Sequence, residues 1–253
     1  MEAGKTFWEW VATIFSQNWP MFLRGAEVTL LISLIGTIVG FLIGIIIGIV
    51  RTIPVDHKTG LFKRIVFKIV DFVFLTYIEV FRGTPMIVQA MVIYYGAAMA
   101  FGLRLSAIGA GIFIVSINTG AYMAEIVRGG IISVDKGQFE AAYSVGMNHS
   151  QAMINIVLPQ AIRNILPAIS NEFVINIKDT SVLNVITVNE LFFQSKSIAG
   201  NNYRYFEVFF ITCAVYFVMT FTITRILRFF ERTLDGPSAY QMSAGPIIDA
   251  QVP

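Results

Sequence analysis

Long uncharged stretches, separated by shorter segments that hold the charges, organise this chain. From Val28 to Val50 there are 23 residues without a charge, and a helix needs about 20 residues at ~1.5 Å each to cross a hydrocarbon core. That stretch predicts a spanning helix. Uncharged runs from Gly83 to Leu103 and from Leu105 to Ala124 predict a second and a third span, the latter with only Ser106, Ser116, Asn118 and Thr119 as obvious polar side chains. A fourth is expected after Pro159, containing Glu172, Lys178 and Asp179, and a fifth over about Val208 to Ile223 with its flanks. An odd number of crossings puts the two termini on opposite sides.

Between Lys63 and Arg82 the positions Arg64, Lys68, Asp71, Leu75, Glu79 and Arg82 advance in steps of three and four, which predicts a helix with one wet face. Gly83-Thr84-Pro85 should interrupt it, because proline lacks a backbone donor and disfavours helix in the residue before it. The pattern leaves open whether this helix lies along the surface or enters the bilayer. In the first span, Gly36, Gly40, Gly44 and Gly48 recur every fourth residue and line one face, so another helix backbone can approach closely. Trp8, Trp10 and Trp19 suit the headgroup level. Residues 1–21 lack the layout of a secretory signal, so no cleavage is expected and they are read as an interfacial segment.

Composition agrees with the pattern: 56% of residues are hydrophobic and 13% charged, against about 25% charged in soluble domains. The expected fold is an all-α polytopic membrane protein, and a soluble enzyme or a disordered chain is excluded. A net charge of +2 gives no bulk attraction to nucleic acid, and the single cysteine, Cys213, forms no intrachain disulfide. Direction follows from Lys and Arg, which are retained in the cytoplasm when they sit in short loops. With the N-terminus outside, the inside segments collect Arg51, Lys58, Lys63, Arg64, Lys68, Arg128, Lys136, Arg163, Arg225, Arg228 and Arg232. The outside segments hold Lys5, Arg24, Arg104, Lys196 and Arg204. The N-terminus is therefore expected outside and the C-terminus in the cytoplasm.

The inside loop 135–160 carries the most information. A helix-forming run from Glu140 to Val145 meets Gly146, which tolerates positive φ, and Asn148 or Ser150 can cap a second short helix that ends before Pro159. The product is a helix-turn-helix at the inner surface, with Glu140 offering a charge to a partner. No nucleotide-binding loop is present: Gly4-Lys5-Thr6 lacks the earlier glycine, and His57 breaks the loose phosphorylation-like run Asp56 to Gly60. His57 and His149, far apart in sequence, are read as solvated loop residues rather than metal ligands. Neither His-Glu-x-x-His nor Gly-x-Ser-x-Gly occurs. No catalytic residue, metal site or enzyme activity is expected.

Glu140-Ala141-Ala142, three residues, Gly146, nine residues, then Ile156-Val157-Leu158-Pro159 resembles the coupling loop of ABC-transporter permease subunits. Phe81 to Pro85 with Gln89 and Tyr94-Tyr95-Gly96, Ala121 to Ile131, and Asn171-Glu172-Phe173 with Lys178 to Ser181 resemble the polar amino-acid uptake branch of that family. The likeness covers about residues 22–232, read as the permease domain; the tail 233–253, rich in Pro, Gly, Ser and Gln, departs from it and is expected to be disordered. The resemblance implies a type I importer permease fold in the cell membrane. It implies that Glu140, Ala141, Ala142, Gly146, Leu158 and Pro159 dock into ATPase subunits, which bind ATP and Mg while this chain holds no cofactor. It further implies a second permease copy, identical or a close paralogue, and a separate extracytoplasmic solute-binding protein.

Under that resemblance, Glu172 would lie about 13 Å into the bilayer, nine residues beyond Arg163 at helical rise. Glu172, Lys178 and Asp179, with Asn171, Thr180 and Ser181, supply both charge signs, as an amino acid's ammonium and carboxylate require. The alternative is that Lys178 and Asp179 pair with each other or with neighbouring spans and only fix the bundle. Glu125 with Arg128, and Glu79 with Arg82, are read as local structural pairs. Two rival functions remain at this point: an ion-coupled secondary amino-acid transporter, for which no inverted repeat is evident, and a non-transporting scaffold.

Overall fold

A computed structural model of the chain describes residues 4–53 and 60–235. The segment 54–59, with His57 and Lys58, and the tail from residue 236 onward lie outside the described residues. The helices are α1 (Phe7–Val50), α2 (Leu61–Gly83), α3 (Met86–Phe101), α4 (Ala107–Ser133), α5 (Lys136–Ser144), α6 (His149–Ala152), α7 (Leu158–Asp179), α8 (Leu191–Asn202) and α9 (Tyr205–Asp235). A π-turn over Met153–Val157 joins α6 to α7, and a 3-10 helix over Thr180–Ile186 follows α7. Among the described residues, four helical segments are long and apolar enough to cross a membrane: Phe7–Val50, Ala107–Ser133, His149–Ile186 and Tyr205–Glu231.

The first helix starts at a capping box, in which Thr6 Oγ1 accepts from Glu9 N and Thr6 N donates to Glu9 Oε2. It then runs 44 residues without interruption, so residues 7–21 are the first part of the same helix as the span. Two apolar faces distinguish it. Leu34, Ile38, Leu42 and Ile46 point outward, whereas Gly36, Gly40, Gly44 and Gly48 lie against α4. A Cβ on Gly40 would meet Thr119 Cβ at 2.8 Å and one on Gly48 would meet Val127 Cγ1 at 2.7 Å, while Gly36 faces Val115 and Gly44 faces Met123. Without Cβ atoms the two backbones approach closely, which is how helices gain packing where lipid offers no hydrophobic driving force.

These pairings rise together in number, so α1 and α4 run parallel. The chain must therefore return across the bundle between them, and α2 and α3 make that return. The uncharged run 83–103 expected as a span is the 16-residue helix α3, about 24 Å at helical rise. Helix α2 stops at Gly83, Thr84 is extended, and Pro85 caps α3. Gln89 Nε2 closes this break by donating to Phe81 O, Thr84 O and Thr84 Oγ1 at 2.8–2.9 Å, and Asn118 Nδ2 holds Gln89 Oε1 at 2.9 Å. The carbonyls freed by proline are thus satisfied inside the protein, as a low-dielectric surrounding requires.

Among the described residues four buried clusters hold the bundle, the smallest of which joins α1, α2 and α4 through Ile47, Ile78 and Ala124. Ile32, Ile114, Val115 and Leu183 join α1, α4 and the 3-10 helix; Val127, Ile131, Val157, Ala161 and Ile165 join α4 to the π-turn and α7; Phe22, Leu191, Ile198 and Ile211 join α1, α8 and α9. Between them sits a polar knot at which Asn176 Nδ2 donates to Thr37 Oγ1 at 2.8 Å and to Thr119 Oγ1 at 3.0 Å. It ties α7 to α1 and α4 inside the bilayer.

Candidate functional site: the elbow and the polar face of α7

The elbow begins where α4 ends. Asp135 caps α5 by accepting from Gly137 N at 2.6 Å, so this helix starts four residues before Glu140. Gly146 ends the turn at φ +85°, a left-handed conformation that costs a residue with a Cβ about 1–2 kcal/mol. Asn148 then opens α6 through a capping box with Gln151, both bonds at 2.9 Å.

The second arm corrects one expectation. It does not end before Pro159 but continues through the π-turn into α7. Leu158 N donates five residues back to Met153 O, and this widened turn makes room for the ring and the missing donor of Pro159. Gln160 Nε2 donates to Ile156 O at 2.9 Å and so helps to satisfy a carbonyl there. His149 corrects another: it is half-buried at the start of α6, its ring stacked on Phe139 at 6.0 Å and its Nδ1 3.0 Å from the Tyr143 hydroxyl, rather than a solvated loop residue.

Glu140, Ala141, Gly146 and Pro159 are exposed, Leu158 is half-buried, and Ala142 is fully buried. Beside them Val145 and Ile154 are 74% and 63% exposed. Met153 and Val157 meanwhile anchor the second arm against Val134 and Ile131. The elbow therefore presents a charged and apolar outer surface on a base packed into the bundle, and its second arm is one helix with α7.

The six polar candidates on and after α7 separate into groups. Asn171 and Lys178, seven residues apart, line adjoining cavities between α7 and α9, the one at Lys178 being about 290 Å³ and also lined by Thr220, Thr224 and Arg225. Glu172 and Asp179 share the neighbouring face, where Arg82 supplies the nearby positive charge. Glu172 is buried; Lys178 and Asp179 are exposed, and neither takes part in an ion pair among the described residues. Ser181 is half-buried, and Thr180 is fully buried with its hydroxyl donating to Ile177 O, within its own turn.

The expected Glu79–Arg82 pair does not form among the described residues; Arg82 instead lies 5.4 Å from the centre of the Tyr122 ring, where a cation meets the ring's negative face. Glu125 does pair with Arg128 at 2.9 Å, but its other oxygen takes Arg51 Nη1 at 2.7 Å, a link of 74 positions that no local pattern discloses. Sequence reasoning also passed over Glu190. It is fully buried, caps α8 by accepting from Phe192 N and Phe193 N, and accepts from the Tyr216 hydroxyl at 3.1 Å. A lone acidic residue directly before the apolar run Leu191-Phe192-Phe193 carries little signal of that role.

An apolar helical bundle with glycine-packed spans, buried polar residues and an elbow at one end defines a polytopic helical membrane protein. Residues 40–236 match the family of binding-protein-dependent transport system inner membrane components, and the chain belongs to that family. It is 38% identical over 216 residues to the glutamine transport system permease protein GlnP of Escherichia coli K12, covering 85% of this chain and 93% of that one. The L-cystine transport system permease protein TcyB of Bacillus subtilis is 39% identical over 164 residues, 64% of this chain and 70% of that protein. Among solved structures, an amino acid ABC transporter with histidines superposes with TM-score 0.75 at 40% identity, covering 87% of this chain and 96% of that chain. The MetNI methionine ABC transporter in an inward-facing conformation shares the fold, with TM-score 0.71 at 17% identity over 86% of this chain and 98% of that one. The fold is thus that of ABC importer permeases, and the protein is a multi-pass membrane protein.

Proposed function

We propose that the chain is the permease subunit of an ATP-driven importer that carries a polar amino acid into the cell. Two ATPase subunits, which bind ATP and Mg, dock on the elbows of a permease pair, identical or paralogous, and an extracytoplasmic solute-binding protein delivers the substrate. The N-terminus faces outward and the C-terminus the cytoplasm. The names of the relatives, glutamine and L-cystine permeases among them, support the substrate class.

One observation carries the mechanism: the second arm of the elbow is continuous with the helix that bears Glu172, Lys178 and Asp179. A displacement imposed on Glu140, Gly146 and Val145 by a closing ATPase pair is transmitted along α7, because Met153, Val157 and Ala161 are packed against α4 and leave no slack at the π-turn. Glu172 and Asp179 offer acceptors to the ammonium of the substrate, and Lys178 with Asn171 offers donors to its carboxylate. The substrate shifts the balance between inward- and outward-open states only through its different affinity for each.

The test is reconstitution of this chain with its ATPase and solute-binding protein in vesicles, with uptake and ATP hydrolysis measured together. Gly146→Trp places a bulky side chain on the exposed turn and is expected to abolish both uptake and the stimulation of hydrolysis by the solute-binding protein. Lys178→Ala is expected to raise the half-saturating substrate concentration while the ATPase remains bound. Uptake by this chain alone under an imposed ion gradient, or uptake unaltered by Gly146→Trp, refutes the proposal.

A further inference from the structure

The first half of α2 stands off the bundle. Leu61, Phe62, Ile69 and Phe72 are 75%, 80%, 57% and 68% exposed, and at 100° per residue they fall with Ile65 on one stripe. Arg64, Lys68 and Asp71 follow along its edge. At that edge a cavity of about 320 Å³ opens between α2 and the end of α1, lined by Arg51, Arg64, Phe67, Lys68 and Asp71.

Among the described residues, the charges that line this cavity do not cancel. Asp71 Oδ1 accepts from Arg51 Nε at 3.0 Å, and Glu125 accepts from Arg51 at 2.7 Å and from Arg128 at 2.9 Å, so both acids are already engaged by Arg51 and Arg128. Arg64 and Lys68 have no ion-pair partner among the described residues. Arg51 follows directly on the uncharged run that ends at Val50, so the cavity lies at the edge of the hydrocarbon core, on the same side of the bundle as the elbow. Two cations at that depth with no acidic partner among the described residues, and an apolar stripe running on from them, complement one kind of molecule in shape and sign: an anionic head with hydrocarbon tails.

We propose that this cavity binds the phosphate of an anionic phospholipid from the leaflet on the elbow's side, with its acyl chains along Ile65, Ile69 and Phe72. Arg64 and Lys68 hold the phosphate, while Arg51, fixed by Asp71 and Glu125, forms the floor. A soluble anion would fill the cationic end but leave the apolar stripe of α2 unmatched. Because Arg51 also grips α4 through Glu125, an occupied site braces α2 against the end of α1 and the start of the elbow.

The full-length chain, purified in a neutral detergent, is titrated with short-chain phosphatidylglycerol, with phosphatidylcholine of the same chains and with inorganic phosphate, and bound lipid is counted by native mass spectrometry. Phosphatidylglycerol is expected to bind more tightly than phosphatidylcholine. The double variant Arg64→Gln/Lys68→Gln is expected to lower its affinity about 30-fold, from the contribution of two basic residues at a membrane surface, and to leave phosphatidylcholine unchanged. The charge-keeping swap Arg64→Lys/Lys68→Arg retains tight binding and separates loss of charge from loss of fold. Equal affinity for the two lipids, phosphatidylglycerol affinity that survives the double variant, or displacement of the lipid by inorganic phosphate at matched concentration would each overturn the assignment.

Discussion

Adding one methyl group at Gly44 sets helix propensity against helix packing. Alanine is favoured over glycine in a helix by up to about 1 kcal/mol, so the substitution stabilises α1 in isolation. In the bundle the new Cβ would lie 2.7 Å from the Met123 carbonyl carbon and 2.9 Å from Ala124 N, where ordinary contact begins at 3.4 Å. Both are backbone atoms and cannot swing aside, so α1 and α4 must part by about 0.5–1 Å at that level, a gap that forfeits a quarter to a half of each neighbouring dispersion contact. Overpacking of this kind costs about 1–3 kcal/mol. Gly129 in α4 is the internal control, because a Cβ there meets nothing within 4 Å. The propensity gain is common to both variants, so Gly44→Ala should be less stable than Gly129→Ala by about 1–3 kcal/mol. Unfolding of the purified chain in detergent micelles, followed by circular dichroism against added denaturing detergent, measures the difference. Equal stabilities within about 0.5 kcal/mol would refute the close α1–α4 approach.

Asn176→Leu removes the knot between α7, α1 and α4 and is expected to cost about 1–2 kcal/mol in the same assay, near the upper end for an interhelical hydrogen bond in a membrane. Gln89→Leu frees the carbonyls of Phe81 and Thr84 at the α2–α3 break; amide exchange across residues 81–89 should quicken while that of α4 stays unchanged. Gly146→Val forces a β-branched side chain into φ +85° and should destabilise the elbow by about 1–2 kcal/mol, visible as faster exchange in α5 and α6 with the transmembrane helices still protected.

Much of this protein is written in patterns only a few residues long. The length of the uncharged run at Val28–Val50 selects a membrane helix; the glycine row marks a face for close approach, Pro85 breaks α2 from α3, and Gly146 with Asn148 turns the elbow, because each of these three depends on neighbours a few positions away. The same short motifs carried the family resemblance. Where local signals compete, the reading fails: Pro159 looks like a helix boundary, but a widened turn absorbs it and leaves the elbow joined to α7. His149 looks like a solvated loop residue, yet Phe139 and Tyr143 enclose it.

Which face meets which is a separate matter. The glycines could have packed on any span, and only the folded bundle selects Val115, Thr119, Met123 and Val127 as their partners. Arg51 reaches Glu125 over 74 positions, and Asn176 reaches Thr37 over 139. Such pairings are decided by how whole helices stack once their backbone hydrogen bonds are satisfied internally, so they leave no periodic trace in the chain. The amino-acid order alone determined that this is a membrane-spanning helical permease with an elbow; the tertiary structure decided that α7 continues the elbow, that Arg82 stacks on Tyr122 rather than pairing with Glu79, and that Arg64 and Lys68 have no acidic partner among the described residues.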